Sequence, residues 1–162
     1  EIACCRRVTL SPWAASRLID RRMIGKLNHV GVATPSIEQS VRLYRDVLGA
    51  TSITEKRALE EQGVWVCFVN LPNSQIELIE PLGEDSPLKG FLAKNPAGGQ
   101  HHVCFEVEDI IAARDEMRAK GATVLGTGEP RIGAHGTPVI FVHPRDMGGA
   151  LVELMETPKG AH

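Results

Sequence analysis

At 162 residues, the chain has room for one ordinary domain or for two small ones that share a core. A formal net charge of −2 and a hydrophobic content of 43% are typical of a soluble globular protein, and they give no reason to expect nucleic acid or a membrane surface as a partner. No apolar run approaches the roughly 20 residues that would span a bilayer.

The first 23 residues differ from the rest in composition. They contain five arginines and only two acidic residues, with serines interspersed. An acid-poor, Arg-bearing segment is typical of a mitochondrial targeting peptide, although a disordered extension would have a similar composition. We therefore assign residues 1–23 to a leader and predict that the protein works in the mitochondrial matrix.

The cysteines form no CxxC pair and no spacing typical of a zinc site; they are Cys4, Cys5, Cys67 and Cys104. This pattern favours reduced thiols in an intracellular protein over a disulfide framework. Because Cys67 and Cys104 stand inside strand-like apolar runs, we expect them to be small core residues.

A first structural unit, with a linking helix at its end, is predicted over residues 24–95. It opens with a strand-like run around His29. A helix follows, with Ser36 as its N-cap, apolar residues at helical spacing, and Gly49 at its end. The later strand-like runs of this unit are residues 64–71 and 75–80. The linking helix is predicted over residues 86–94, with Ser86 as its N-cap.

A second unit over residues 96–157 repeats this order, and residues 158–162 are predicted to form a tail. Its helix is capped by Asp109 and ended by Gly121. Its strand-like runs are residues 100–107, 137–143 and 150–156. The chain therefore reads as one module written twice.

The two units place the same residue types at matching positions. His29 and His102 stand 73 positions apart, each in the opening strand of its unit. Glu77 and Glu153 stand in the closing strands, 48 and 51 residues after the histidine of the same unit. If the units pack side by side, two imidazoles and two carboxylates reach one cleft. This donor set suits a divalent ion such as Co, Mn, Ni, Fe or Zn.

Each of these residues also has an ordinary interpretation, as a core or surface histidine or as a glutamate on an exposed edge strand. The duplicated spacing favours the metal interpretation, since a carboxylate among branched apolar neighbours is costly unless it is paired or metal-bound. By strand alternation, His101 should face away from the cleft and is not predicted to be a ligand. His135 and His143 have no repeat counterpart, and no role in the site is predicted for them.

Five stretches carry a resemblance to a known family: Leu27–Ala33, Glu77–Leu82, Gly98–His102, Gly133–Gly136 and Leu151–Leu154. In this order and spacing, the chain resembles the vicinal oxygen chelate superfamily and, within it, the methylmalonyl-CoA epimerases. The resemblance covers roughly residues 24–157.

The resemblance implies an α+β fold in which two tandem βαβββ modules form a curved mixed sheet around a metal cleft, commonly in a homodimer. It implies one divalent ion, cobalt before Mn, Ni, Fe or Zn, held by His29, Glu77, His102 and Glu153. Enzymes of this kind interconvert (2R)- and (2S)-methylmalonyl-CoA in propionyl-CoA catabolism, in mitochondria in animals.

This chemistry needs a stabilised enolate and two proton-transfer groups. A Lewis-acidic metal stabilises the negative charge that develops on the thioester oxygen, and a base and an acid on opposite faces of the α-carbon each contribute a factor of ~10²–10⁴. We expect Glu153 to fill one of these roles. Bacterial epimerases place a second catalytic glutamate where this chain has Val66, and a glutamine ligand where it has Glu77. We therefore hypothesise that Glu77 combines metal ligation with the second role. No residue is assigned to CoA.

Other functions on the same fold stay open at this point. A glyoxalase I-like lyase or isomerase would need glutathione-binding arginines, and no clear set stands in the body of the chain. An extradiol dioxygenase uses Fe(II) with two histidines and one carboxylate, whereas four matched donors are present here. A non-catalytic, small-molecule-binding member would usually lack the metal ligands.

Overall fold

The computed structural model describes residues 23–159. The predicted leader, Cys4 and Cys5 fall outside the described residues, apart from the last residue of the leader, and so do residues 160–162 of the predicted tail. No helix between residues 23 and 159 has both the length and the apolar character that a membrane crossing requires.

Two βαβββ units follow each other along this part of the chain. The first contains β1 (Leu27–Ala33), α1 (Ile37–Arg42), β2 (Arg57–Leu59), β3 (Val64–Asn70) and β4 (Gln75–Pro81). A short helix, α2 (Lys89–Lys94), connects it to the second unit. The second contains β5 (Gly99–Val107), α3 (Ile110–Ala119), β6 (Arg131–Ile132), β7 (Pro138–Val142) and β8 (Val152–Glu156).

All eight of these strands belong to one mixed sheet, in the order β2-β3-β4-β1-β5-β8-β7-β6. The two units meet where β1 pairs with β5 in antiparallel register. On either side of this pair, β4 runs parallel to β1 and β8 runs parallel to β5. The order is therefore symmetric about the β1–β5 contact, and the predicted fold of two tandem βαβββ modules is confirmed.

The sheet curls so far that its two ends meet. Strands spaced ~4.8 Å apart would put the ends of a flat eight-stranded sheet roughly 30 Å apart. Instead, Nε2 of Gln62, just after β2, donates a hydrogen bond of 2.9 Å to the carbonyl of Ile132 in β6. The Arg57 guanidinium donates similarly to the carbonyl of Ala134. The concave face of the sheet therefore encloses a cleft.

The helices of the two units, α1 and α3, begin with the same two contacts. Ser36 accepts a hydrogen bond from the amide of Gln39, and Asp109 accepts from the first turn of α3, so both predicted N-caps are confirmed. In addition, the carboxylate of Glu80 accepts from the amide of Ile37 at 2.7 Å. In the second unit, Glu156 accepts from the amide at the start of α3 at 3.2 Å. Each closing strand therefore ties down the helix of its own unit.

Strand alternation decides which side chains reach the cleft. In β4, Leu78 packs in one apolar cluster with Ile37 of α1, while its neighbour Glu77 points to the other face. In β8, Val152 and Leu154 pack under α3. Glu153 lies between them and faces the cleft. The apolar cores below the helices thus force both glutamates inward.

The first helix continues past Arg42 as a π-helical turn, Leu43–Val47, and Gly49 follows it at a φ of 72°, so the predicted end of this helix at Gly49 is confirmed. The prediction for the linking helix was wrong at its start. The linking helix α2 begins at Lys89, later than the predicted start directly after Ser86. Ser86 does not cap it, because its hydroxyl donates to the carbonyl of Gly63 at 2.6 Å. The predicted boundary between residues 95 and 96 stays a prediction.

Candidate metal centre

Four buried side chains converge on the concave face, one from each of the four central strands. They are His29 from β1, Glu77 from β4, His102 from β5 and Glu153 from β8, and each is between 1% and 6% exposed. One ligand atom from each side chain lies within 4.8 Å of the other three. The structure thus brings together the four residues that the repeat singled out.

The distances between these atoms fit a single ion. The two imidazole Nε2 atoms lie 3.2 Å apart. The four distances from either Nε2 atom to an Oε2 atom of Glu77 or Glu153 lie between 3.0 and 3.4 Å. Donors that are each ~2.1 Å from a metal stand ~3.0 Å apart at a right angle and ~3.4 Å apart at a tetrahedral angle. These five donor–donor distances therefore match those of a coordination sphere.

Strand register explains the convergence. Across the sheet, Glu77 is paired with Gly31, and Gly31 with His102. In the neighbouring row, Glu153 is paired with Cys104, and Cys104 with His29. Each row therefore has a glutamate, a small residue and a histidine on three adjacent strands, and the small residue leaves space for both larger side chains.

The two histidines and the two glutamates stabilise one another's charged forms. Burial opposes the charged form of His29, but hydrogen bonds with Cys104, Glu153 and Glu77 outweigh it and raise the pKa of His29 to about 12. Burial likewise opposes the charge on Glu77, yet the hydrogen bonds that it accepts from His102 and His29 hold its pKa below the usual value. The same contacts raise the pKa of His102 and lower that of Glu153. Two buried carboxylates call for two positive charges, which protons or one divalent ion can provide.

His101 was predicted to face away from this cluster, and this prediction was wrong. Gly31 of β1 is paired with His102, but the next residue, Val32, is paired with Gln100, so His101 is the extra residue of a β-bulge. The bulge turns its ring beside His102, with 3.0 Å between the two Nδ1 atoms. Burial lowers the pKa of His101 to about 4, and the ring is neutral at physiological pH. It is not among the four converging donors.

His135 is a site residue that sequence reasoning missed. Its ring centroid lies 5.7 Å from that of His29 and 4.6 Å from that of Phe68. The Gly133–Gly136 stretch thus folds over the first module's histidine. The only signal was the resemblance of that stretch to the family pattern. His143, by contrast, accepts a hydrogen bond from the amide of Arg145 and caps a short turn.

A cavity of about 280 Å³ opens onto three of the four converging groups, Glu77, His102 and Glu153. Its apolar wall includes Leu59, Val64, Ile79 and Leu88, and Arg131 adds a cationic group. Val66, by contrast, is 1% exposed and packs in the apolar cluster on this side of the cleft. The cavity can therefore hold a molecule with both an apolar part and anionic oxygens.

A duplicated βαβββ sheet with one buried donor on each central strand defines a class of protein, and residues 28–141 match the model of that class, the Glyoxalase/Bleomycin resistance protein/Dioxygenase superfamily. The chain belongs to this superfamily.

The particular likeness is to methylmalonyl-CoA epimerases, as the sequence predicted. The chain is 58% identical over 132 residues to the ethylmalonyl-CoA/methylmalonyl-CoA epimerase of Cereibacter sphaeroides, which covers 82% of this chain and 98% of the relative. It is 56% identical over 131 residues to the mitochondrial methylmalonyl-CoA epimerase of Mus musculus, covering 81% and 72%. A variant of the Streptomyces coelicolor methylmalonyl-CoA epimerase, solved with 2-nitronate-propionyl-CoA, superimposes with a TM-score of 0.77 at 33% identity, covering 84% and 96%.

Proposed function

We propose that this protein is a metal-dependent methylmalonyl-CoA epimerase. The observation that carries the proposal is the spacing of His29, Glu77, His102 and Glu153 around one point, beside a cavity that three of them line. The likeness to epimerases supports the reaction, and the donor set supports a metal. Two nitrogen and two oxygen donors suit a divalent ion such as Co, Mn, Ni, Fe or Zn. We place Co first because the resemblance to the epimerases implies it.

In this proposal the two glutamates hold the ion and also move the protons. When bound, a divalent ion supplies Lewis-acid stabilisation for the negative charge that develops on the thioester oxygen. Glu77 and Glu153 come from β4 and β8, which flank the central β1–β5 pair on opposite sides. A substrate seated between them presents one face of its α-carbon to each carboxylate. One glutamate removes the α-proton and the other returns a proton on the opposite face.

The apolar wall of the cavity supports a range of 2-alkyl groups. Six branched aliphatic side chains line it, and an added methylene would lie against them. Burying one methylene contributes ~0.8 kcal/mol. We therefore include ethylmalonyl-CoA among the substrates, as in the name of the Cereibacter sphaeroides relative. We further propose a homodimer and a location in the mitochondrial matrix. The mitochondrial location rests on the composition of residues 1–23 and on the mouse relative.

The decisive experiment combines metal analysis with isotope exchange. The purified protein is analysed for metal and then incubated in deuterium oxide with (2R)- or (2S)-methylmalonyl-CoA, and deuterium at the α-carbon is followed by mass spectrometry. We expect about one divalent ion per chain, deuterium incorporation from both epimers, and loss of both after chelation. Adding back the ion restores exchange.

Three outcomes would contradict the proposal in distinct ways. A protein with no bound divalent ion is a small-molecule-binding member of the fold. A protein with a metal but no α-proton exchange has another reaction, and turnover of a hemithioacetal would identify a glyoxalase I-like enzyme. If exchange survives complete removal of metal, the protein is still an epimerase, but its proposed dependence on a metal is refuted.

A further inference from the structure

Two successive hydrogen bonds link the imidazole of His29 to Asn28 and then to Glu106. Its Nδ1 atom lies 2.9 Å from Oδ1 of Asn28. The Nδ2 atom of Asn28 in turn donates a hydrogen bond of 2.8 Å to Oε1 of Glu106, 78 residues away in β5. These hydrogen bonds cross from β1 to β5. They reach the imidazole at Nδ1, whereas its Nε2 atom faces Glu77 and Glu153.

The direction of these hydrogen bonds fixes the protonation of the ring. An ionised carboxylate only accepts hydrogen bonds, so Glu106 must face the NH₂ end of the Asn28 amide. The carbonyl end of the amide therefore faces His29, and it too only accepts. The proton of a neutral His29 must then be on Nδ1, which leaves the Nε2 lone pair free to bind a metal.

From this geometry we propose that Asn28 and Glu106 are positioning residues for metal binding, which hold His29 in the Nδ1–H tautomer. The proposal rests on the metal centre of the proposed function. Groups that bind the distal nitrogen of a metal-ligating histidine orient the ring, and their loss typically weakens metal binding 10–100-fold.

A β-bulge puts Asn28 in this place. Leu27 of β1 is paired with Phe105, but His29 is paired with Cys104, so Asn28 is the extra residue. The second unit does the same with His101, which stands 73 positions later and contacts Nδ1 of His102 at 3.0 Å. Bulges re-aim side chains and are frequent beside functional sites. In both units, the residue before the metal-facing histidine is turned to hold its ring.

Cys104 is a second neighbour of His29. Burial raises the pKa of its thiol to about 11, and a neutral thiol is only a weak acceptor. The Asn28 amide oxygen is the stronger acceptor.

If Asn28 only joined β1 to β5 structurally, the variant with the weakest metal binding would be a different one. Asn28→Leu and Asn28→Asp both lose the hydrogen bond to Glu106. Only the aspartate still accepts a hydrogen bond from Nδ1 of His29. A carboxylate there also sets a like charge against Glu106, which makes it the worse structural substitution. Metal affinity and fold stability should consequently rank the two variants in opposite orders.

The test measures the dissociation constant for Zn²⁺ by competition with a chromophoric chelator, alongside urea unfolding of each variant. We expect Asn28→Leu to weaken Zn²⁺ binding ~10–100-fold and Asn28→Asp to stay within ~3-fold of the wild type. Glu106→Gln, whose amide oxygen can still accept from Asn28, should bind nearly normally, whereas Glu106→Leu should not. Asn70→Leu, which removes a strand asparagine bonded to Ser52 and Gln75, is the control for amide loss alone.

Long-range ¹H–¹⁵N spectra of the Zn²⁺-loaded wild type provide an independent readout. They should show His29 with a protonated Nδ1 and a metal-bound Nε2. A metal bound to Nδ1, or equal loss of affinity in Asn28→Leu and Asn28→Asp, would overturn the assignment. Because these readouts need no substrate, they stand even if the protein binds metal but does not epimerise methylmalonyl-CoA; a wild type that binds no Zn²⁺ refutes both proposals.

Discussion

Gly31 lies directly beneath the imidazole of His102, on the neighbouring strand. A Cβ atom on Gly31 would stand 2.0 Å from Cε1 of His102 and 2.3 Å from its Nδ1. The two residues are paired in the β1–β5 register, so neither strand can move away without breaking the contact between the modules. Glycine is needed here for the close approach of a ring, a role that it commonly has in strand interiors.

Replacing Gly31 by alanine should therefore damage the metal centre. The added methyl group must displace the His102 ring, because its nearest contacts are ring atoms enclosed by buried neighbours. We expect Zn²⁺ affinity to fall at least ~10-fold and epimerase activity to fall with it, an extent typical of misplaced metal ligands. Chelator competition and isotope exchange measure the two effects.

Gly90 provides the matched control for this substitution. A Cβ atom there would meet nothing within 4 Å, and the residue lies in α2, where alanine is favoured over glycine by ~1 kcal/mol. Gly90→Ala should therefore leave metal binding intact and raise stability slightly. Normal metal affinity in Gly31→Ala would show that His102 is not held where the metal requires it.

The two candidate acid/base residues should differ in the epimer that they affect. Glu153→Gln and Glu77→Gln each keep an oxygen that can bind a metal but cannot transfer a proton. We expect one variant to slow α-proton exchange from the (2R) epimer and the other from the (2S) epimer, by ~10²–10⁴. Exchange is measured separately from each epimer, with bound metal quantified in every sample.

Glu129→Gln is the control, since Glu129 is exposed and pairs with Arg114 away from the cleft. If Glu77→Gln leaves both exchange rates unchanged, Glu77 is a ligand without a role in proton transfer. The second acid or base must then be another group that reaches the cavity.

The repeat made the centre of the site predictable. Because His29 and His102 stand at equivalent positions of duplicated strands, packing the two modules side by side had to bring them together. The positions of the glutamates were predictable for a related reason. Side chains alternate along a strand, so when the apolar neighbours of a glutamate pack under a helix, its carboxylate points to the opposite face. What the pattern could not supply was the order of the strands, which depends on tertiary pairing between β1 and β5.

The parts that were missed depend on local irregularities. His101 was expected to face away because alternation assumes a regular strand, and a β-bulge breaks that assumption. Asn28 shares its repeat position and its bulge, so the 73-residue offset was the available signal for both. His135 lies in a loop, whose path over His29 depends on contacts far away in the sequence. The edge strands β2 and β6 are too short for a periodic pattern to reveal.

Metal binding should release protons, because the pKa values of His29 and His102 are raised in the metal-free centre. With the pKa of His29 raised to about 12, its imidazole holds a proton at pH 7.5, and an ion must displace it. Apparent affinity should therefore weaken as the pH falls and strengthen as it rises. Calorimetric titration in buffers of different ionisation enthalpy should give at least one proton released per ion. A binding enthalpy that is independent of the buffer would contradict the proposed coupling.

Glu80 should contribute to stability without affecting the metal. Its carboxylate accepts from the amide of Ile37 at 2.7 Å and pairs with Lys56 at 2.9 Å, which fastens the start of α1 to the end of β4. Removing a carboxylate that caps a helix amide typically costs about 1–2 kcal/mol, so Glu80→Ala should lower the free energy of unfolding by that amount. The Glu156→Ala variant should lose less, since its contact to Ile110 is longer, at 3.2 Å.

Urea unfolding of the metal-free protein measures both, and chelator competition should find unchanged Zn²⁺ affinity. A loss of affinity in Glu80→Ala matching that of Gly31→Ala would mean that the helix contacts also hold the metal ligands in place, and the separation between the two faces of β4 would be wrong.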